Sequence, residues 1–334
     1  MKKVVIVGGG VAGLSALNRL ADLGISATLI EAGTYPSHKI CGEFFSPECL
    51  PILSAWDIEP TQKITHISLV TSHRTLSFPL PNSARSQSRF TFDHKLVQRA
   101  EKNGAIILTK TKVKDIKKNH VLLDNETMLP YTDLIVSSGR FFGRVSSPLY
   151  AGLKGYFRGL DIQGLEMYPF PGGYAGLSPS GDGLSNFTCL MPKHYDKEML
   201  FKAVPHLQSK LQKGEFAYDE WMTCKIPAFG IKKTPSQANT YFVGDAAGTI
   251  PPASGLGLSI ALTSGYMAAE YAVKGDREGF QKAWHSRYKK TFAYGHVLHW
   301  LLTHPSAYHS ALGLERLFPK LPLTIFSKTR LFKI

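Results

Sequence analysis

The first thirty residues change from one hydrophobic pattern to another and back. Lys3 to Val7 is a short, β-branched apolar run, typical of a buried parallel strand. The glycine-rich stretch Gly8 to Gly13 follows, and from Leu14 to Leu23 leucines and alanines recur at helical spacing. Gly24 ends the predicted helix, and Ala27 to Ile30 predict a second strand. The pattern therefore predicts a βαβ unit with a glycine turn after its first strand.

Further along the chain, shorter alternating runs replace this pattern. Residues 64–78 alternate between apolar and polar side chains and predict strands of an insertion that leaves the first domain. A helix that returns to that domain is predicted over 93–103. Residues 152–191 are rich in glycine, proline and aromatic residues, typical of an antiparallel sheet. Single strands are also predicted at 106–108, 121–123 and 134–137.

The last third of the chain returns to long periodic segments. Tyr241 to Val243 predicts a buried strand and Gly257 to Val273 a long helix. From Arg277 onward the pattern is helical, apart from turns near Pro305 and Pro319. We therefore expect a discontinuous nucleotide-binding domain, a substrate domain inserted into it, and a helical C-terminal region. Their expected bounds are 1–62, 89–140 and 236–275 for the first, 63–88 and 141–235 for the second, and 276–334 for the third.

Composition adds limits to this picture. The chain has 334 residues, 43% hydrophobic and 19% charged, so a large core needs no disulfide or metal to support it. The four cysteines show no C-x-x-C pair or zinc-type spacing, and no metal site is predicted. No run reaches the ~18 apolar residues of a spanning helix, and no signal peptide is expected. These features favour reduced thiols and a cytoplasmic location.

The net charge of +14 favours anionic partners. Nucleic acid is not expected among them, because no dense basic recognition helix, zinc finger or RNA-binding motif is visible. The C-terminal region combines apolar with basic residues, and two interpretations stay open. It lies on an anionic membrane face as a peripheral contact, or it caps the substrate cavity with a solvated basic face. The residues concerned include Phe292, Val297, Leu298, Trp300, Leu301, Leu302, Arg316, Leu317, Phe318, Lys320, Ile325, Phe326, Lys328, Arg330, Leu331, Phe332 and Lys333.

The glycine turn carries the first chemical signal. Gly8, Gly10 and Gly13 form G-x-G-x-x-G, which allows a tight turn, approach of a pyrophosphate, and close packing of helix on strand. The N-terminus of the following helix offers free N–H groups to phosphates. Glu31 ends the second strand, where a carboxylate accepts hydrogen bonds from the hydroxyls of an adenosine ribose. The motif predicts binding of a dinucleotide, either NAD or FAD.

A second glycine-rich segment favours FAD. A predicted buried strand leads into Gly244 and Asp245, whose carboxylate suits a ribityl hydroxyl. Gly255 and Gly257 then open another helix. A helix N-terminus facing a flavin ring would stabilise its anionic reduced form. The two motifs together predict a flavoprotein.

These residues, with the R-x-x-x-D segment of Arg89 and Asp93, resemble the geranylgeranyl reductase-like flavoproteins. That family lies in the superfamily of para-hydroxybenzoate hydroxylase and the flavin-dependent halogenases, and the resemblance runs from Met1 to about Ala272. It implies an α/β fold: a glutathione-reductase-type, Rossmann-like FAD domain with an inserted antiparallel substrate domain and a helical C-terminus. It also implies that the matching positions contact FAD. These are Gly8, Gly10, Val11, Ala12, Gly13, Glu31, Ala32, Lys39, Cys41, Gly42, Arg89, Val113, Gly139, Gly244, Asp245, Gly255, Gly257 and Leu258.

Two further segments resemble the reductases and suggest catalytic residues. Residues 38–43 resemble a K-x-C-G-G loop over the flavin, which implies that Lys39 pairs with the pyrophosphate and Cys41 lies near the ring. Glu43 departs from that motif, and Cys41 has the alternative role of a small buried hydrophobe. Residues 171–179 resemble an aromatic segment of the substrate sheet. Tyr174 either projects into the cavity as a proton donor or leaves its hydroxyl in solvent.

Other departures bear on the reaction. Ser138 replaces the aspartate of the hydroxylases' Asp-Gly motif, which puts NAD(P)H in doubt as the reductant and favours an electron-donor protein or free reduced flavin. Gly248 matches the reductases and halogenases, but Trp221 does not reproduce the halogenases' W-x-W-x-I-P element. His296 and His299 lack a carboxylate at a supporting spacing, which favours solvated or core histidines. Three functions stay open: reduction of an isoprenoid or lipid-like C=C bond, hydroxylation of a phenolic or polyketide-like ring, and electron relay without an organic substrate.

Overall fold

The computed structural model describes residues 2–141, 149–235 and 239–314, together with Ser327 and Arg330. Its strands are β1 Val4–Val7, β2 Ala27–Ile30, β3 Phe44–Phe45, β4 Gln62–Val70, β5 Thr75–Ser86, β6 Ile106–Leu108, β7 Val113–Ile116, β8 His120–Leu123, β9 Met128–Pro130, β10 Asp133–Val136, β11 Tyr150–Arg158, β12 Leu165–Phe170, β13 Gly173–Gly181, β14 Leu184–Pro192, β15 Glu215–Phe216, β16 Met222–Ile226, β17 Gly230–Ile231, β18 Thr240–Phe242 and β19 Gly248–Thr249. Its helices are α1 Val11–Asp22, α2 Leu50–Ala55, α3 Arg89–Lys102, α4 Lys197–Ala203, α5 Pro205–Leu211, α6 Gly257–Lys274, α7 Arg277–Thr303 and α8 Pro305–Leu314.

A five-stranded parallel sheet holds the N-terminal βαβ unit. Its strand order is β6-β2-β1-β10-β18. Every residue of β1 and β10 is buried, which explains the apolar runs Val4–Val7 and Leu134–Val136, because a central parallel strand is covered on both faces. Helix α1 packs between this sheet and α6, and the largest core cluster of the chain surrounds them. The carboxyl ends of β1, β10 and β18 therefore meet at one edge of the sheet.

A larger, mainly antiparallel sheet faces that edge. Its strand order is β15-β11-β14-β13-β12-β4-β5-β3, and β16 also pairs with β11. Strands β12 and β4 run parallel, whereas the other pairs are antiparallel. Helices α4 and α5 contribute Leu200, Leu207 and Leu211 to the core on this sheet, and Val204 between the two helices joins them.

Two long helices follow the parallel sheet. Helix α6 approaches α1 so closely that a Cβ atom at Gly265 would lie 2.1 Å from the carbonyl oxygen of Ala12. Helix α7 begins among the core residues of the parallel sheet, where Phe280 and Trp284 are buried, and ends against the antiparallel sheet at Leu302. It therefore spans both halves of the molecule. Within the described ranges, no helix is long and apolar enough to cross a membrane.

The structure confirms a mixed α/β fold with a parallel sheet, and it corrects several details. Helix α3 begins at Arg89 and not at Asp93, because the Ser88 hydroxyl accepts a hydrogen bond from the Phe90 N–H and caps it. Strand β3 lies inside the predicted segment 1–62 but pairs with β5 of the antiparallel sheet. Apart from Arg330, the charged and apolar tail residues from Arg316 to Lys333, and the turn near Pro319, lie outside the described residues.

Candidate functional site

One cavity of about 590 Å³ lies between the carboxyl edge of the parallel sheet and the antiparallel sheet. Its wall combines the β1–α1 loop, the loop before β3, the ends of β10 and β18, and the start of α6. Strands β11 to β14 and β16 close the other side. Residues that are far apart in sequence therefore share one cavity.

The glycine loop has the geometry that the motif predicts. A Cβ atom at Gly8 would lie 2.5 Å from the Ser137 carbonyl oxygen, and one at Gly13 would lie 2.1 Å from the Gly8 carbonyl oxygen. Gly10 is different, because nothing stands within 4 Å of its would-be Cβ and the residue lines the cavity. Helix α1 begins there without a side-chain cap or an acidic residue in its first turn. Its free N–H groups are available to an anionic ligand.

Glu31 holds the glycine loop and also lines the cavity. Its Oε2 accepts a hydrogen bond of 2.6 Å from the Gly9 N–H, and its Oε1 accepts one of 2.9 Å from the Gly33 N–H. Each carboxylate oxygen accepts more than one hydrogen bond, so capacity remains for ligand hydroxyls. The Tyr35 hydroxyl donates to the Gly9 carbonyl oxygen. A Cβ atom at Gly9 would meet both of these side chains, so a larger residue here would displace the Tyr35 hydroxyl from its hydrogen bond.

The second motif contributes a carboxylate and another helix start. Asp245 follows β18, and burial raises its pKa against the opposing effects of Arg140 and Lys232. Its Oδ2 lies 3.8 Å from Nε of Arg140, a loose ion pair. Helix α6 begins at Gly257 with no side-chain cap, and nothing stands within 4 Å of a Cβ atom at that residue. Two uncapped helix N-termini, those of α1 and α6, therefore border the same cavity.

Residues 39–43 form a wall of the cavity over a buried ion pair. Glu43 has a left-handed φ of 56°, where a motif glycine would be free of strain. Its Oε1 lies 2.6 Å from Nζ of Lys154, and both side chains are fully buried. The same carboxylate accepts hydrogen bonds from Tyr156, Ser180 and the Arg89 N–H. Glu43, which stands where the motif has glycine, is thus held in place by an ion pair and three hydrogen bonds.

Lys154 connects this ion pair to the cavity loop. Its ammonium group donates to the carbonyl oxygens of Lys39 and Cys41 as well as to Glu43. The Cys41 thiol accepts a hydrogen bond of 3.3 Å from the Glu43 N–H. Cys41 is half-buried and lines the cavity, so the structure does not support the alternative of a fully buried hydrophobe.

Arg89 and the turn after β10 border the cavity at its charged end. The Arg89 guanidinium donates two hydrogen bonds of 2.6 Å to Asp93. Burial disfavours its charged form, but the pair with Asp93 outweighs it and the pKa of Arg89 is raised. Ser138 and Gly139 also line the cavity, and Gly139 has a left-handed φ of 77°. The serine that replaces the Asp-Gly aspartate therefore faces the site.

The opposite end of the cavity is apolar and contains Tyr174. Tyr174 is buried on β13, and its hydroxyl accepts a hydrogen bond of 2.9 Å from the Ala253 N–H. Burial raises its pKa. The alternative that leaves this hydroxyl in solvent is therefore wrong. The apolar lining of this end consists of Leu165, Met167, Leu190, Ile226, Phe229 and Ile250.

Not every residue expected at the site reaches the cavity. Gly13 does not line it and serves to pack α1 against Gly8. Ala32 is exposed beyond the end of β2, and Val113 packs its half-buried side chain against the core at the start of β7. Trp221 packs against Phe216 in an aromatic cluster and does not line the cavity. Among the described residues no group of histidine, cysteine and acidic side chains could hold a metal.

The sequence also left some site residues unrecognised. Lys154 sits in a strand of apolar residues, where a lysine between Leu153 and Gly155 signals a buried partner. His299 was expected to be solvated or in the core, and it is buried against Tyr150 and Tyr174. Its helical spacing from Phe292 and Leu302, both buried, was the available signal.

The residues present fit a flavin dinucleotide. Gly10 and Gly257 leave open space that a Cβ atom would fill, and each opens an uncapped helix N-terminus onto the cavity. Glu31 and Asp245 provide acceptors for hydroxyl groups at two separate places. The arrangement suits phosphates between the two carboxylates and a flat ring beside the apolar end.

Comparisons with known proteins agree with this geometry. Residues 2–160 match the family model described as pyridine nucleotide-disulphide oxidoreductase. The menaquinone reductase of Mycolicibacterium smegmatis is 24% identical, in an alignment that covers 90% of this chain and 85% of the relative. A ubiquinone hydroxylase of Neisseria meningitidis is 29% identical over 165 residues, which cover 41% of this chain and 36% of the relative.

Solved structures share the fold. A flavin-dependent brominase superposes with a TM-score of 0.82 at 16% identity, covering 98% of this chain and 93% of its own. A geranylgeranyl bacteriochlorophyll reductase-like protein from Thermoplasma acidophilum gives a TM-score of 0.75 at 20% identity, covering 90% and 87%. At these identities the likeness concerns the fold. The family model and the menaquinone reductase relative agree with the resemblance to the geranylgeranyl reductase-like flavoproteins, and the chain is an FAD-dependent oxidoreductase.

Proposed function

We propose that this chain reduces a C=C bond of an isoprenoid or another lipid-like molecule bound at the apolar end of the cavity. The observation that carries this proposal is the separation of charge along the cavity wall. The charged lining residues come from the end of β2, the loop before β3, the start of α3 and the turns after β10 and β18; they are Glu31, Lys39, Glu43, Arg89, Arg140 and Asp245. The end formed by β12 to β14 and β16 is lined by aliphatic, aromatic and small residues.

An apolar substrate suits that end for energetic reasons. Burying apolar surface contributes about 25 cal/mol per Å², so an isoprenoid unit gains from contact with Leu165, Leu190 and Ile226. A charged or strongly polar substrate would lose hydration there without finding a partner. The name of the mycobacterial relative, a menaquinone reductase, agrees with an isoprenoid lipid.

The proposed roles divide the cavity wall between cofactor and substrate. Segments 1–62, 89–140 and 236–275 would hold FAD, which supplies a hydride when bound. Gly10 and Gly257 would let phosphate and ring approach the backbone, and Glu31 and Asp245 would accept hydrogen bonds from hydroxyl groups of the cofactor. Segments 63–88 and 141–235 would form the substrate domain, with 276–334 as the helical region that follows. Tyr174 would donate the proton, and Cys41 would shape the substrate's position beside the ring.

The test is an anaerobic single turnover. Holoenzyme is photoreduced without oxygen and mixed with polyprenyl alcohols, which carry C=C bonds and no quinone ring that reduced flavin could reduce instead. We expect the flavin to become oxidised at a rate that depends on the alkene, and the product to gain two hydrogen atoms by mass spectrometry. Failure of every isoprenoid to oxidise the flavin, in protein that retains FAD, would contradict the proposal.

Hydroxylation is the second candidate, and two observations favour it. The doubled proline Pro251-Pro252 after the GDAAG turn resembles the hydroxylases, and a ubiquinone hydroxylase is among the relatives. Under this function the phenolic or polyketide-like product would contain an oxygen atom from O₂. Labelled O₂ separates the two reactions, because only the hydroxylase places the label in its product.

The source of electrons follows from Ser138. With serine in place of the aspartate, we propose that a ferredoxin-like donor protein or free reduced flavin reduces the bound FAD. An electron relay without an organic substrate would need only this first step. The apolar cavity end argues for a substrate, because a relay has no use for it.

We further propose a cytoplasmic enzyme that contacts membranes at their surface. The four cysteines are free, which agrees with a reducing compartment. On α7, Val297 and Trp300 are 60% and 54% exposed, one helical turn apart, while His299 between them faces the protein. A positively charged chain with such an apolar surface suits an anionic bilayer. Cosedimentation with anionic but not neutral vesicles, weakened in Trp300→Ala, tests this contact.

A further inference from the structure

Three side chains from separate elements form a line that starts at the cavity. Tyr174 on β13 lines the cavity, and its hydroxyl lies 3.4 Å from Nδ1 of His299 on α7. Nε2 of the same imidazole lies 3.0 Å from the hydroxyl of Tyr150 on β11. Tyr150 is half-buried, whereas His299 and Tyr174 are buried. The line therefore runs from the cavity through a buried imidazole to a residue in contact with water.

The hydrogen bonds around Tyr174 define which way its proton points. Its oxygen already accepts from the Ala253 N–H. If His299 carries its proton on Nδ1, that N–H donates to the same oxygen and fills its second lone pair. The hydroxyl proton of Tyr174 is then directed into the cavity, and Nε2 is free to accept from Tyr150.

The surroundings of His299 keep its imidazole neutral. Burial, with smaller contributions from His296 on α7 and His304 just after it, lowers the pKa of His299 to about 4. From the other elements packed against it, the groups that face it are the hydroxyls of Tyr150 and Tyr174 and the ring of Phe229. None of these is a carboxylate that would hold an imidazolium. A neutral imidazole both accepts and donates a proton, which a relay requires.

We propose that Tyr150 and His299 form a proton relay that reprotonates Tyr174 during reduction of the substrate. This inference rests on the proposed function. The substrate gains a hydride from the reduced cofactor at one carbon and the Tyr174 hydroxyl proton at the other. The Tyr174 oxygen takes the proton of His299 Nδ1, Nε2 takes the proton of the Tyr150 hydroxyl, and Tyr150 takes one from water, which leaves as hydroxide. Before the next turnover the imidazole exchanges its Nε2 proton for one on Nδ1 through water, and this resets the relay. One C=C bond, one hydride and one proton from water give the saturated product. His299 and Tyr150 act through Tyr174 and do not touch the substrate.

The first test needs no substrate. In protein labelled with ¹⁵N-histidine and loaded with FAD, ring ¹⁵N shifts report the protonation of His299, assigned by its loss in His299→Gln. We expect a neutral ring at pH 7 with its proton on Nδ1. An imidazolium at pH 7, or a proton held on Nε2 alone, would overturn the relay, because Tyr174 would then have no donor.

The second test measures turnover in variants of the two relay residues, Tyr150 and His299. A positioned general acid contributes about 10²–10⁴-fold, so Tyr150→Phe and His299→Gln should slow alkene-dependent flavin oxidation by roughly 10-fold or more. FAD affinity should be unchanged, and added imidazole should restore part of the rate in His299→Gly. Tyr168→Phe is the matched control, since this buried tyrosine bonds Glu166 away from the cavity.

The outcomes separate this inference from the proposed function. If no alkene oxidises the reduced flavin of the wild-type protein, the proposed function fails. The histidine ¹⁵N shifts then still decide whether the relay geometry exists. If wild type turns over and both variants stay within about twofold of it, the relay is wrong while the reductase stands. If His299→Gln does not fold, Tyr150→Phe alone decides, because it removes one oxygen from a half-buried ring.

Discussion

Replacing Lys154 by methionine should be among the most destabilising single changes in this chain. The Lys154 ammonium lies 2.6 Å from Glu43, and neither side chain is exposed to water. Methionine fills a similar volume but leaves the carboxylate buried without its counter-charge. Removal of one partner from a buried ion pair typically costs about 3–5 kcal/mol. Tyr156, Ser180 and the Arg89 N–H still donate to Glu43, so we expect the lower half of that range.

The double variant Glu43→Gln with Lys154→Met isolates the ion pair. Glutamine keeps an acceptor for the neighbouring donors and carries no charge. We therefore expect the double variant to regain about 2 kcal/mol relative to Lys154→Met. The double-mutant cycle compares the wild type, Glu43→Gln, Lys154→Met and the double variant. Their free energies of unfolding are measured by urea denaturation in the presence of excess FAD, followed by tryptophan fluorescence.

The reasoning also predicts an effect on the cofactor. Lys154 binds the carbonyl oxygens of Lys39 and Cys41, so its loss should loosen the cavity wall and weaken FAD binding. Additive effects of the two substitutions, each below about 1 kcal/mol, would refute the reasoning, because they would mean that the charges are hydrated.

Other predictions concern the cofactor, the proton donor, the reductant and pH. Gly10→Val should weaken FAD binding by about 10–100-fold, because the valine side chain would fill the open space at Gly10. Equilibrium titration of flavin fluorescence measures the FAD dissociation constant, and an unchanged constant would mean that no phosphate binds at this loop. Tyr174→Phe should lower turnover by about 10²-fold and leave FAD affinity nearly unchanged, which stopped-flow and titration compare directly. NADPH alone should reduce the bound flavin more slowly than about 1 s⁻¹, and stopped-flow reduction within the usual range of turnover would contradict the role given to Ser138. The folded-state pKa of His299 is depressed from 6.5 to about 4, so the unfolded chain binds its proton first as pH falls. The contribution of His299 to the free energy of unfolding should be fully present above pH 6.5 and should fall by roughly 1–3 kcal/mol towards pH 4. In urea denaturation, His299→Gln should not show this decrease.

The sequence predicted the βαβ unit well because its signals are local. The residues of β1 and β2 were predicted to within one residue, since short buried strands between glycines leave few alternatives. The cavity also brings Cys41, Tyr174 and Gly257 together, as the resemblance implied. Each of these residues lies in a motif whose surroundings are readable along the chain.

The parts that the sequence missed depend on contacts between distant segments. Nothing near Glu43 in sequence indicates Lys154, which is 111 positions away. The same is true of Tyr174 and His299, where a sheet residue meets a helix that spans both halves of the molecule. Strand β3 was missed because two residues have no period, and only pairing with β5 defines them.

The way the cavity wall is assembled links the stability of the folded protein to the supply of FAD. The wall joins Gly8, Tyr174 and Leu258, so it is complete only when both sheets have formed and packed. A cofactor that needs the complete wall binds the native chain alone and pulls the folding equilibrium towards it. Each tenfold excess of free FAD over its dissociation constant then adds about 1.4 kcal/mol to stability. Flavin supply would thereby govern how much of the chain escapes proteolysis, and riboflavin starvation would lower its abundance without any change in its gene.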